Sequence, residues 1–141
     1  MKKVITSYEE HVEEIKAVRI PVFVHEQEVP EENEMDERDP HCIHALIMTD
    51  HNKPIGTGRL DVVKNGKVGR VAVLKEHRGQ GLGNEIMSLL EKAAKDAGLS
   101  SLWMHAQTSA LEFYEKLGYR KEGEEFMEEN IPHFVMRKEL I

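Results

Sequence analysis

Cysteine is nearly absent: Cys42 stands alone in 141 residues, which excludes an intramolecular disulfide and suits a reducing compartment. No apolar run approaches the roughly 20 residues that a membrane helix needs. No charged-then-apolar leader follows Met1; the first residues run straight into a helix pattern. These absences predict a cytoplasmic protein with no membrane partner. A basic surplus is missing too. The formal net charge is −7, which argues against DNA or RNA as the principal partner, because nucleic-acid binders concentrate Lys and Arg on one face. The imbalance is local: from Glu26 to Asp39 acidic residues dominate, with Arg38 the only strong base, and the rest of the chain is near balance. Repeats and low-complexity segments are also lacking.

What is present suits one domain, spanning 1–141, with 40% hydrophobic and 32% charged residues. Ser7-Tyr8-Glu9-Glu10 has the form of a capping box, after which Val12, Ile15, Val18 and Arg19 fall at helical spacing. Pro21 should end or kink that helix near Arg19, and the acidic stretch beyond, with Pro30 and Pro40, reads as loop. Three strands follow, His44 to Thr49, Ile55 to Val63 and Val68 to Leu74, with Gly56 and Gly58 weakening the second. Between the last two, Asn65-Gly66 is a two-residue hairpin signal, so an antiparallel meander is expected. From Gly81 the period changes. Leu82, Ile86, Leu89, Leu90, Ala93 and Ala97 share one helical face, and Gly98 sits where a cap belongs. Leu102 to Ala106 reads as a buried strand, so strand, helix and strand imply a right-handed parallel crossover. A second capping box, Ser109-Ala110-Leu111-Glu112, opens a short helix ending at Gly118, and closing strands are expected near Tyr119 to Glu122 and Phe134 to Glu139. The fold class is a mixed α/β domain.

The hexamer Arg78-Gly79-Gln80-Gly81-Leu82-Gly83 lies between a strand and an amphipathic helix. Glycines there let the backbone approach a ligand, and free amides at the positive end of the helix dipole suit a pyrophosphate. The plainer reading is a flexible turn before a helix. Two other phosphate motifs fail. A P-loop would end in Gly-Lys-Ser/Thr, whereas Gly83 is followed by Asn84-Glu85. A dinucleotide fingerprint starting at Gly79 would need a small residue at Asn84 and an acid ending the next strand. Metal is not expected: His41, Cys42 and His44, near Asp36 and Asp39, match no standard zinc spacing, and alternating strand residues point to opposite faces.

Val73 followed by Arg78-x-x-Gly81-x-Gly83 resembles the coenzyme A signature of the GNAT superfamily of N-acyltransferases, (Gln/Arg)-x-x-Gly-x-(Gly/Ala). Downstream, Gln107-x-x-Ala110-x-x-Phe113-Tyr114-x-x-x-Gly118-Tyr119 resembles the second hallmark of that superfamily, with Gln where Asn is common. Phe23-Val24-x-Glu26-Gln27, Glu34-x-Asp36, Ala106-Gln107 and Ile131-Pro132-His133 are similar to the bacterial ElaA-like branch, whose substrates are poorly defined.

The resemblance implies acetyl-coenzyme A as cosubstrate and a direct transfer of acetyl to a primary amine, on a small molecule or a protein. Backbone groups of Val71 and Val73 would pair with the pantetheine arm. Amides from Arg78 through Gly79, Gln80, Gly81, Leu82 and Gly83 to Asn84 would hold the pyrophosphate, with the Arg78 side chain nearby. Gln107 would meet the pantetheine or the thioester, with Phe113 beside the cofactor. Tyr114 would serve as general acid, since a phenol of pKa about 10 is protonated at neutral pH and can hand a proton to a departing thiolate. As an isolated pair, Phe113-Tyr114 would read as core packing. Glu26 and His133 are candidates for general base or acceptor site, and His105 is a third; each has a structural reading as well. The acidic stretch is either a solvated segment or an acceptor-site wall that concentrates cationic amines. Cys42 lies outside both motifs, which disfavours a covalent cysteine route. A non-catalytic acyl-coenzyme A sensor is the alternative function, and a homodimer is one expectation for the assembly.

Overall fold

The computed structural model describes residues 1–140. Seven strands form one sheet: β1 (Lys2–Ser7), β2 (Ile43–Met48), β3 (Pro54–Asp61), β4 (Lys67–Val73), β5 (Ser101–Gln107), β6 (Arg120–Glu128) and β7 (Ile131–Glu139). Their spatial order is β1-β2-β3-β4-β5-β7-β6. Every neighbouring pair is antiparallel except β4 and β5, which are joined by the crossover helix α3 (Leu82–Asp96). The expected meander, crossover and closing strands are all there. The other helices are α1 (Val12–Arg19), α2 (Glu31–Glu34) and α4 (Leu111–Lys116), with a π-helical segment at Ile20–Glu26.

Successive residues of β3 point to opposite faces of the sheet, and two neighbours show what covers each. A Cβ on Gly58 would lie 2.8 Å from Ile86 of α3, so the glycine that weakens the strand on paper is what lets this helix approach. The next residue, Arg59, reaches instead to Asp36 and Asp39 beside α1 and α2. Leu82, Ile86, Met87, Leu90, Ala93 and Ala94 form the buried stripe of α3. Burying side chains such as Ile86 and Leu90 contributes about 1.5–3 kcal/mol each. Ile15, Val18, Val22 and Phe23 seal the opposite face.

Several local expectations are corrected. The first residues form edge strand β1, paired with β2 from Lys2↔Met48 to Ser7↔Ile43, where a helix pattern was expected. One side of β1 lacks a strand partner, so its sequence carries no clean alternation. Ser7 Oγ does accept from the Glu10 amide (3.2 Å), but this closes the turn before α1, whose N-cap is His11. Pro21 neither ends nor simply kinks the helix. The chain continues in the wider π pattern, in which Gln27 N–H bonds to Val22 O five residues back. Asn65 and Gly66 both take positive φ, 60° and 87°, yet the connection spans residues 62–66, because the last β3–β4 pair is Asp61↔Lys67. The box at Ser109 is not made: Thr108–Ala110 forms a 3-10 turn, and α4 starts after Ala110 without a side-chain cap. Strands β6 and β7 extend well beyond their expected lengths, to a tight turn at Glu129-Asn130, where both residues have positive φ.

Candidate functional site

The site begins with a flaw in the sheet. Gly69 pairs with Arg59 and Ala72 with Thr57, so Arg70 and Val71 together oppose Gly58, a β-bulge in which Arg70 takes φ 52°. Beyond Val68↔Met104 the parallel ladder between β4 and β5 stops. Val71 and Val73 therefore present β4 backbone toward β5 without a strand partner, and the two strands open toward their C-terminal ends. A buried edge like this invites a ligand that can supply hydrogen bonds.

A groove of about 530 Å³ at the opening is lined by Val73, Arg78, Gly81, Leu82, Gly83, Asn84 and Phe113, among others. Gly79 and Gly81 both have φ 80°, and a Cβ on either would meet nothing within 4 Å. Backbone conformation, rather than crowding, is what requires glycine there. No amide from Gly79 to Asn84 donates to a backbone carbonyl among the described residues. Six amides without a backbone partner at the positive end of a 15-residue helix have the chemistry to receive an anion. Gly83 serves a different purpose: its Cβ would lie 2.9 Å from the Phe113 ring, so the ring seats α4 against the start of α3.

Arg78 is already engaged. Its guanidinium grips Glu26 at 3.0 and 2.7 Å, and its Nε donates to Val73 O at 3.0 Å. The hydrogen bond from Arg78 holds the Glu26 carboxyl below its ordinary range. The adjacent Gln27 bridges to the other strand: Gln107 Nε2 donates to Gln27 Oε1 at 2.8 Å. The end of the π-helical segment thus spans the opening, tied to the glycine loop on one side and to β5 on the other. The structure brings Gln107 and His133 together and places Glu26 with the anion loop.

A second cavity, of about 420 Å³, holds Gln27, Gln107, Tyr114, His105, Glu128 and His133 along part of its wall. Tyr114 is 8% exposed, and its hydroxyl, which keeps some access to the cavity, bonds to no other group among the described residues. Burial pushes the phenol up to about 12, so it stays protonated throughout the neutral range. Its ring is wedged edge-on between Phe113 and Tyr119, at 4.9 and 5.8 Å between centroids. His133 faces Gln107 across the β5–β7 ladder. His133 Nδ1–H donates to Ile131 O at 2.7 Å, which leaves Nε2 as the nitrogen with an available lone pair. That Nε2 lies 3.7 Å from Glu128, whose other oxygen accepts from His105 Nδ1 at 3.0 Å. The His105 bond holds the Glu128 carboxyl below its ordinary range. Sequence reasoning missed Glu128, because the β6–β7 turn that carries it inward has no Asn-Gly signal.

The acidic stretch is divided between its two expected readings, part solvated and part cavity wall. Glu34 and Asp39 are buried, and Arg19, itself 0% exposed, bonds to both carboxylates. Arg59 bonds to Asp36 and Asp39, Arg70 to Glu34 and Asp36, and Arg38 to Asp61. Burial works against ionisation of Asp36, but the Arg59 hydrogen bond and charge outweigh it and hold this carboxyl at about 2. Burial raises Glu34 despite its partners. Glu34, Asp36 and Asp39 thus form an arginine-paired ionic wall on the second cavity, while Glu28, Glu31, Glu32 and Glu37 stay exposed and solvated. His44 is bonded to Asp39 O, and burial pushes the Cys42 thiol up to about 11, so this thiol is a poor nucleophile.

Comparison with known proteins agrees with this geometry. Residues 5–140 match the family model of the acetyltransferase (GNAT) domain. The uncharacterized N-acetyltransferase YjcF of Bacillus subtilis is 45% identical over 141 residues, covering 99% of this chain and all of that protein. Among solved structures, an acyl-CoA N-acyltransferase from Pseudomonas aeruginosa superposes with a TM-score of 0.85 at 25% identity, covering 98% of this chain and 99% of that one. Escherichia coli ElaA superposes at 0.86 and 24% identity, covering 98% and 99%. Fold and sequence together place the chain in the GNAT acetyltransferase family.

Proposed function

We propose that the chain is a single transferase domain that moves an acetyl group from acetyl-coenzyme A to a primary amine by direct attack in a ternary complex. The observation that carries this reading is the Tyr114 hydroxyl, on a ring only 8% exposed, open to the second cavity that Gln107 and His133 also line. In this account the pyrophosphate takes the amides of Gly79 to Asn84, and the pantetheine pairs with Val71 and Val73 as an added strand. Gln107, held by Gln27, faces the thioester. The amine nitrogen attacks the thioester carbon, and the new C–N bond gives a tetrahedral centre. His133 Nε2 accepts the proton that the nitrogen loses. As the C–S bond breaks, the Tyr114 hydroxyl donates to sulfur. The dry surroundings that raise the phenol also raise the basicity of the nascent thiolate, so donor and acceptor stay matched.

The two base candidates separate by kinetics. Glu26 is committed to Arg78, so Glu26→Gln should leave kcat within about threefold and act on KM for acetyl-coenzyme A, since a freed Arg78 meets the pyrophosphate unopposed. His133→Gln should lower kcat by about 10²-fold with little change in that KM. The reverse pattern would transfer the role of base to Glu26. The loop assignment has its own test. Gly81→Asp introduces a strained φ and a negative charge where the anion sits, and should weaken coenzyme A binding at least tenfold, about 1.4 kcal/mol, while the protein stays folded. Calorimetry giving wild-type affinity in a folded variant would remove the loop from the site.

A further inference from the structure

The cavity beside Tyr114 continues along the sheet toward the N-terminal ends of β4 and β5, and its far end holds a charge that the transfer chemistry does not use. On β5, Gln107, His105 and Trp103 share a face, and the parallel register sets Lys67 of β4 beside Trp103. Lys67 lines the cavity, is partly buried, and holds its ammonium 5.3 Å from the centroid of the Trp103 ring. The three arginines on the same cavity wall are each ion-paired to carboxylates. Lys67 makes no ion pair among the described residues, and Glu128 nearby is bonded to His105. Burial lowers the Lys67 pKa and the charge of Glu128 offsets this only in part, so an anion placed against the ammonium would relieve a desolvation cost that no ion pair relieves among the described residues.

We infer that Lys67 is the anion subsite of the acceptor pocket, and that the acceptor is a primary amine carrying a carboxylate or phosphate several bonds from the reacting nitrogen. The assignment of the amine end to Gln107 and His133 rests on the transferase reading above. From Gln107 to Trp103 is four strand steps, about 13 Å, which the lysine side chain shortens by several ångströms. A tail of five or six bonds between nitrogen and anion fits that interval. The arginines on the side walls are committed to carboxylates and Lys64 stands exposed at the rim, which leaves Lys67 as the half-buried unpaired cation facing such a tail among the described residues.

The test uses the products such acceptors would give, so it needs no turnover. 6-Acetamidohexanoate, 6-acetamidohexanamide and 4-acetamidobutyl phosphate are titrated by calorimetry into the protein saturated with coenzyme A. The carboxylate should bind at least tenfold more tightly than the neutral amide, Lys67→Gln should erase that ratio, and Lys67→Arg should keep most of it. Tighter binding of the phosphate than of the carboxylate would make phosphate the preferred tail. Equal binding of acid and amide, a preference that survives Lys67→Gln, or no saturable binding of either anion would overturn the inference. Intact anion selectivity without acetyl transfer to 6-aminohexanoate or to a neutral amine would instead count against the transferase reading alone.

Discussion

Replacing Tyr114 with phenylalanine should lower kcat by about 10²-fold and leave folding and coenzyme A affinity intact. The ring keeps its edge-on contacts with Phe113 and Tyr119, so the packing that fixes α4 is retained. The hydroxyl has no hydrogen-bond partner among the described residues, so removing it orphans no group there. What disappears is the proton donor that the proposed mechanism assigns to the departing sulfur. Coenzyme A thiolate is a fair leaving group and water can partly substitute, which sets the effect at the low end of the range for acid–base groups. KM for acetyl-coenzyme A should barely move, because the proton matters only as the C–S bond breaks. Single-turnover kinetics of the variant should show the loss in the chemical step. A wild-type single-turnover rate would make Tyr114 a packing residue.

The second large effect concerns stability. Arg19→Met should destabilise the fold by at least about 3 kcal/mol, because Glu34 and Asp39 would remain buried with one guanidinium fewer. Arg59 and Arg70 still hold these carboxylates from the other side, which keeps the loss near the lower end of what broken buried pairs cost. Denaturant unfolding at neutral pH reads the difference directly. Acid should reproduce part of it in the wild type. Asp36 titrates near 2 in the folded protein, against about 3.9 unfolded, so its contribution is complete above about pH 4 and is lost as pH falls through about 2. Asp36→Asn should therefore be less stable than wild type at neutral pH and approach it near pH 2. A variant of Arg19 as stable as wild type would show that the ionic wall stabilises nothing.

The parts of this fold that were legible in the sequence are those whose signals are local. The α3 stripe, the Gly98 cap and the glycine loop are each written in a short window with a fixed period or a required φ. The order of strands around α3 followed from the crossover rule alone. What stayed hidden depends on distant partners. Edge strand β1 has no period of its own, because only β2 gives it register. Within the acidic segment from Glu26 to Asp39, nothing local sets Glu34, Asp36 and Asp39 apart from their exposed neighbours; Arg19, Arg59 and Arg70, contributed by α1, β3 and β4, do so by pairing with them. Within the site, Tyr114, Gln107 and the loop were visible through family-like motifs. Glu128 was not, since it reaches the cavity only because the Glu129-Asn130 turn folds β6 back along β7.

The arrangement also explains why Glu26 and Gln27 are adjacent. One residue ties the π-helical segment to the anion loop through Arg78, and the next ties it to β5 through Gln107. In the proposed complex a pyrophosphate at the loop would compete with Glu26 for Arg78, at the end of the segment that also holds Gln107. This contact joins the cofactor side of the cleft to the acceptor side through two consecutive residues.

The most direct test of the account is acetyl transfer itself. The protein is incubated with acetyl-coenzyme A and a panel of primary amines, neutral, cationic and anionic-tailed, while free thiol is followed and products are identified by mass. The account predicts an N-acetylated amine formed in equal amount to free coenzyme A, with no acetylated enzyme accumulating. Tight binding of acetyl-coenzyme A with no thiol release above the spontaneous rate for any amine would contradict it, and would make the protein an acyl-coenzyme A sensor built on a transferase fold.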